Sequence, residues 1–410
     1  MRIVDVDAHL HEPLDWVART NPALAAEMGE PARFMEIAGD IFGVADRAFA
    51  QLPQAQQPRD RWDLITPGFV HHLELTDERQ PDDHVDDTDP RFGAAGRLAW
   101  CDERGIDVQF LNPTFLVGPI IQVARLGRFD LIHEVQSTWN RWAMDVVDGH
   151  ADRLIPVTQI DLHDIDWSLG EMERMREAGS RAFMIPQAPV GGRGRAAGGS
   201  RAVGRSISHP DFDPIWSAAE DLGMAAFAHV GFGRERINAG WANNGADDLL
   251  TFNALNMLVG SQIAPQLLVG SFVLDGVLER HPRLVVVVEE LGIDWLPHLV
   301  TTLEVMVGRT PEVLHDGEYR PGNLERGGYR LPLTPTEYLQ RQVRVSPLPA
   351  SQPIAGVLEQ VPPDLLAFCS DYPHVEGTAD AVAICERQLR DVAAVVRDSF
   401  FAGAGDLIGV

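Results

Sequence analysis

Asp7, His9 and His11 stand two apart directly after Val4, Asp5 and Val6. In extended chain this spacing sends all three side chains to one side, and a carboxylate beside imidazoles is half of a site for zinc, iron or manganese. A solvent-facing polar strand end can hold the same residue types, so the pattern gains weight only from partners elsewhere. His229 closes an apolar run that begins at Met224; alone, such a histidine is more often a structural residue. Asp371 closes a run that begins at Leu365, and an ionised carboxylate there needs a cation or strong donors. Glu289 and Glu290 end the four valines from Val285 to Val288. Faces alternate along a strand, so only one of the two is expected to point inward. His374 and Glu376 follow Asp371 closely enough to reach the same cavity or to lie in a solvated loop. His133, His150, His163, His209 and His281 fall on expected helices or connections and read as structural.

Eight extended stretches position these residues: 2–7, 105–113, 153–160, 180–186, 224–229, 284–290, 342–345 and 365–371. Helical patterns intervene, for example from Trp167 to Ala178 and from Asp213 to a stop at Gly223. Strands alternating with helices imply a parallel sheet, and eight of them imply a closed (β/α)8 TIM barrel whose functional residues sit at the C-terminal strand ends. The whole chain, 1–410, reads as one barrel domain with lid insertions at about 21–90, 191–205 and 308–335. The second insertion is rich in glycine and carries Arg193, Arg195, Arg201 and Arg205 directly after the fourth strand.

Composition removes several chemistries. All 34 basic residues are arginine, so a lysine Schiff base, a pyridoxal-phosphate anchor, a lysine general base and a carbamylated-lysine metal bridge are impossible. A net charge of −26 argues against nucleic acid as a partner. The start of the chain, from Met1 to Asp5, lacks an apolar stretch of secretory length, and the run from Leu284 to Val288 is too short to cross a bilayer. With three cysteines in no metal-like or disulfide-like spacing, a cytoplasmic, reducing location without membrane contact is expected. A homodimer is the base-rate expectation for assembly.

The chain resembles the amidohydrolase-related family, the barrel group that contains aminocarboxymuconate semialdehyde and resorcylate decarboxylases. The resemblance runs nearly end to end. It is carried by the segment from Val4 to Pro13, by 105–109, by Asp213-Pro214-Ile215-Trp216, by His229-Val230-Gly231, by 281–284 with 290–297, and by 370–374. It implies that Asp7 and His9 are first-strand ligands, His229 the fifth-strand ligand and Asp371 the eighth-strand carboxylate. It also places Glu290 inside the barrel, where the decarboxylases carry a histidine for acid-base chemistry. The glutamate-bearing variant resembles a branch that includes non-haem diiron monooxygenases of diterpenoid antibiotic biosynthesis.

That branch implies two iron ions, dioxygen, an electron donor and hydroxylation of a bulky acyl-coenzyme A substrate in natural product biosynthesis. Asp7, His9, His11, Glu12, His229, Glu290, Asp371 and His374 exceed what one ion needs, and the arginine loop suits coenzyme A phosphates. Here Asp7, His9, His11, His229, Glu290 and Asp371 are the expected metal residues, with Glu290 and His374 as catalytic residues. The alternative is a decarboxylase or hydrolase with one zinc or manganese ion, in which Glu290 handles protons. A catalytically silent barrel acting as a binding scaffold is the third reading.

Overall fold

A computed structural model describes residues 2–31, 81, 86–190, 205–230, 259–313, 331–348, 351–374 and 377–410. Seven parallel strands follow one another in sequence order: β1 (Val4–Leu10), β2 (Val108–Pro113), β3 (Leu154–Thr158), β4 (Ala182–Ile185), β5 (Ala225–His229), β6 (Val286–Glu289) and β7 (Val343–Val345). Helices cross between them, among them α1 (Ala94–Arg104), α2 (Ile132–Val146), α3 (Ile165–Ala178), α4 (Asp213–Leu222), α5 (Ala264–Leu274), α6 (Leu296–Val313) and α7 (Pro335–Gln342).

The expected eighth strand, 365–371, lies in the gap between β7 and β1. Ala367 N–H donates to the Val345 carbonyl at 3.0 Å, and Val6 N–H donates to the Phe368 carbonyl at 3.1 Å. Asp371 N–H reaches the Asp7 carbonyl at 2.7 Å, and His9 N–H reaches that of Tyr372 at 2.8 Å. These bonds close the sheet on itself. The segment differs from expectation in pairing through isolated bridges, Val345 with Leu366 and Ala8 with Tyr372, rather than a regular ladder. Its end is bent by the left-handed backbone of Asp371, φ 51°.

Two apolar clusters divide the core. One lies between sheet and helices and includes Ala8, Leu10, Leu111, Phe183, Ile185, Ala226, Ala228, Val286 and Val288. The other includes Val4, Val6, Val108, Phe110, Ala225, Phe227, Val285, Val287, Ala367 and Cys369. The second set occupies alternate positions on its strands and fills the barrel interior, as side-chain layers do in this fold. On β2, β5, β6 and the closing segment this inward phase continues to Asn112, His229, Glu289 and Asp371. On β1 a register shift between Asp5 and Ala8 moves the phase by one residue. Val4 and Val6 therefore face inward below the irregularity, while Asp7 and His9 face inward above it, and Ala8 and Leu10 turn to the helices.

Little of the three insertions can be described. The first opens with the helix Pro22–Met28, capped by the Asn21 side chain, which accepts from Leu24 N–H. The third is entered by α6. Arg193, Arg195 and Arg201 lie outside the described residues, as does Glu376. Arg205 is exposed, pairs its backbone with Val190 at 2.8 Å in both directions, and makes an ion pair with Asp211. Among the described residues no helix is long and apolar enough to cross a membrane.

Candidate metal centre

Side chains from four strand ends and one turn converge at the barrel mouth. One group of possible ligands is Asp7, His9 and His229; another is His9, Glu290, Asp371 and His374, with ligand atoms in each lying within 4.8 Å of one another. His9 belongs to both. Its Nε2 stands 3.4 Å from Asp7 Oδ1, 3.4 Å from Asp371 Oδ1 and 3.1 Å from His229 Nε2. His229 Nε2 lies 3.7 Å from Asp7 Oδ1 and 2.7 Å from Glu290 Oε2.

The backbone fixes which nitrogen faces the centre. His9 Nδ1 donates to the Pro113 carbonyl at 3.1 Å, and His229 Nδ1 donates to the Val230 carbonyl at 2.6 Å. Both rings then turn Nε2 inward, the orientation that a metal-ligating histidine adopts when its other nitrogen is hydrogen-bonded. Two lone pairs facing each other at 3.1 Å repel unless a cation lies between them or one nitrogen takes a proton. Asp7 Oδ2 is also buried without a hydrogen-bond partner. The donor set fits a divalent ion such as manganese or zinc.

The charges of the residues themselves are strongly coupled. Burial disfavours a charged His229, yet the Glu290 and Asp7 carboxylates outweigh it and push the imidazole up to about 10. Burial and His229 hold His9 well below the usual histidine range, and burial and His9 do the same to His374. Burial raises Asp7, against the pull of His229 and His374.

Glu290 reaches the centre by a route that strand alternation does not provide. Glu289 is the inward residue of β6, paired in register with His229. Glu290 follows with φ 53°, and this left-handed step swings a second carboxylate into the same mouth. Both glutamates thus point inward, where alternation allows only one. Glu290 and Asp371 are the only non-glycine residues with positive φ among those described. Such backbone is uncommon outside glycine and collects at functional sites.

Asn112 is the participant that motif reading passed over, and Glu289 the one it set aside in favour of Glu290. Asn112 Nδ2 donates to Asp7 Oδ1 at 3.1 Å and to Glu289 Oε1 at 2.9 Å, linking three strands across the interior. The signal was present in the period-two phase, since Val108, Phe110 and Asn112, like Val285, Val287 and Glu289, share a face.

Two expected donors are placed elsewhere. His11 is buried, but it lies beyond the end of β1 and belongs to neither ligand group; its ring sits 5.3 Å from that of Phe115 and 6.2 Å from that of His374. Extended spacing ends with the strand at Leu10, so the third residue of the motif does not follow the first two. Glu12 accepts from Trp139 Nε1 at 2.6 Å, Phe115 N–H at 2.7 Å and Thr114 N–H at 3.3 Å, bracing the turn after β2. Burial pushes its carboxyl up to about 7. His374 bridges Asp371 Oδ1 at 3.2 Å and Thr114 Oγ1 at 3.2 Å. Three of the histidines read as structural have such partners: His133 and His163 hold Asp161, and His281 holds Glu220.

The solved structures that this chain is similar to share the fold at low identity. An amidohydrolase from Mycobacterium avium subsp. paratuberculosis is 20% identical, with 100% of this chain and 99% of that one covered at a TM-score of 0.65. A 5-carboxyvanillate decarboxylase from Novosphingobium aromaticivorans, solved with bound manganese, is 18% identical over 100% and 97% of the two chains at 0.62. A 2,6-dihydroxybenzoate decarboxylase from Rhizobium is 15% identical over 100% and 99% at 0.58. No curated protein sequence matches the chain. A family model for amidohydrolases matches residues 5–403, and with this strand order and a donor set at the strand ends the chain belongs to the amidohydrolase family, as a barrel of the metal-dependent enzyme type.

Proposed function

We propose that this chain is a decarboxylase of a small carboxylic acid, working with one manganese or zinc ion held by Asp7, His9, His229 and Asp371. The observation that carries the reading is the 3.1 Å approach of two imidazole Nε2 atoms whose Nδ1 atoms are both tied to carbonyls, flanked by two buried aspartates. The manganese-bearing decarboxylase among the similar folds supports it. When bound, the ion would supply Lewis-acid polarisation and hold an oxyanion of the substrate. In the reaction the bond to the carboxylate carbon breaks, carbon dioxide leaves, and a proton adds to the carbon left behind. Glu290, partly accessible and against His229, is the residue placed to deliver that proton. His374 orients Asp371 from the side of Thr114. In a hydrolase the same glutamate would instead take a proton from water.

The second reading, oxygen-dependent hydroxylation with two iron ions, is favoured by one observation: two ligand groups share His9 and include Glu290 and His374 beyond a single ion's needs. It would require an electron donor and a substrate such as an acyl-coenzyme A. The test loads the protein separately with manganese, zinc and ferrous iron and supplies hydroxylated benzoic acids, including 2,6-dihydroxybenzoate and 5-carboxyvanillate. Carbon dioxide release without air, at one ion per chain, is the expected result. Two bound ions, with product oxygen drawn from labelled dioxygen, would overturn it.

A further inference from the structure

Asn112 and Glu289 lie at the same level of the barrel as the candidate ligands. The register pairs His9 with Asn112 between β1 and β2, and His229 with Glu289 between β5 and β6. Neighbours in register on parallel strands share a face, so all four point into the mouth. Asn112 and Glu289 are both fully buried. The Asn112 amide spends its nitrogen on Asp7 Oδ1 and Glu289 Oε1. Its own Oδ1 and the Glu289 Oε2 remain without hydrogen-bond partners. Leaving a buried polar atom unpaired costs the desolvation of that group, and Asn112 Oδ1 can only accept, so the pair calls for a hydrogen-bond donor from outside the chain.

We infer that Asn112 and Glu289 form a specificity site that accepts a hydrogen-bond donor of the substrate, a hydroxyl or an amine, while the substrate carboxylate lies toward the ligand groups. The inference rests on the decarboxylase reading for where the carboxylate sits, and on the orphaned oxygens for the donor. A site built to bond a hydroxyl rejects an analogue lacking it far more strongly than an apolar pocket rejects a change in size, because its buried acceptors are then left unpaired. Asn112 has a second task, since its amide also holds the Asp7 oxygen that faces both imidazoles. Loss of its side chain therefore affects the ligand group as well as selectivity, whereas Glu289 bears chiefly on selectivity.

The experiment titrates manganese-loaded protein by calorimetry with 2,6-dihydroxybenzoate and with 2,6-difluorobenzoate, which matches it in shape but offers no donor. Wild-type protein is expected to prefer the hydroxylated probe by about tenfold or more. Glu289→Leu should abolish that preference, and Glu289→Gln, which keeps one oxygen acceptor, should retain part of it. Metal content, measured on each variant, is expected to stay at the wild-type level for both Glu289 variants. Equal affinity of the wild type for the two probes, binding of neither, or an unchanged preference in Glu289→Leu overturns the inference. Should Glu289→Leu fail to fold, a Glu289→Gln preference identical to wild type overturns it as well. Failure to release carbon dioxide counts against the decarboxylase reading alone, because the calorimetric preference is read without turnover.

Discussion

His9 Nε2 and His229 Nε2 face each other at 3.1 Å across the barrel mouth, each turned there by a carbonyl that accepts from its Nδ1–H. The pair joins β1 to β5, strands that share no ladder, and its orientation is set by Pro113 and Val230 rather than by the rings themselves.

Removing either imidazole should remove most of the ion's hold. His9→Ala or His229→Ala is expected to weaken manganese binding by roughly a hundredfold or more, beyond the 10–100-fold typical of losing an outer partner. Competition titration against a chelator of known affinity measures this. Wild-type affinity in either variant would remove that residue from the ligand set.

Binding of the ion should release a proton. In the metal-free protein Glu290 and Asp7 hold His229 protonated up to about 10, against the effect of burial, and a ligand must be neutral. At pH 8 about one proton should leave per ion bound, and apparent affinity should rise as pH increases toward 10. Calorimetry in buffers of differing ionisation enthalpy counts the proton. Zero release at pH 8 would show that His229 is already neutral there.

Glu290→Gln preserves the shape of the side chain and removes its acid-base function. Turnover is expected to fall by about a hundredfold or more, the usual worth of a positioned proton donor, with one ion per chain retained. Metal analysis run beside the kinetics distinguishes the two roles of this residue: loss of the ion would make Glu290 a ligand first.

Glu12→Ala should act on stability rather than chemistry. It strips acceptors from the indole of fully buried Trp139 and from the amides of Phe115 and Thr114. Unsatisfied buried donors cost about 1–3 kcal/mol each, so a loss of about 3 kcal/mol is expected in chemical denaturation. A change below about 0.5 kcal/mol, within the range of ordinary surface substitutions, would show that water replaces the carboxylate.

Much of this centre is legible along the chain. Apolar runs ending in His229 and Asp371, and the Asp7 and His9 pair, mark strand ends because burial demands an apolar stripe until the strand leaves the core. The β-α alternation then orders the strands as β1 to β7, and parallel strands bring their C-terminal ends to one mouth.

Three features were decided only by tertiary structure. The register shift in β1 turns Asp7 and His9 inward after Val4 and Val6, and nothing in the local residue pattern marks where a pleat slips. Left-handed backbone at Glu290 and Asp371 costs energy locally and persists only where surrounding contacts hold it, so alternation predicted one inward glutamate where there are two. The bond from Asn112 to Glu289 joins residues 177 positions apart across the barrel, a distance over which sequence spacing carries no information. Period-two patterning fixes which residues share a face of an unbroken strand; where the strand breaks, and what meets it from the far wall, is set by the closed barrel.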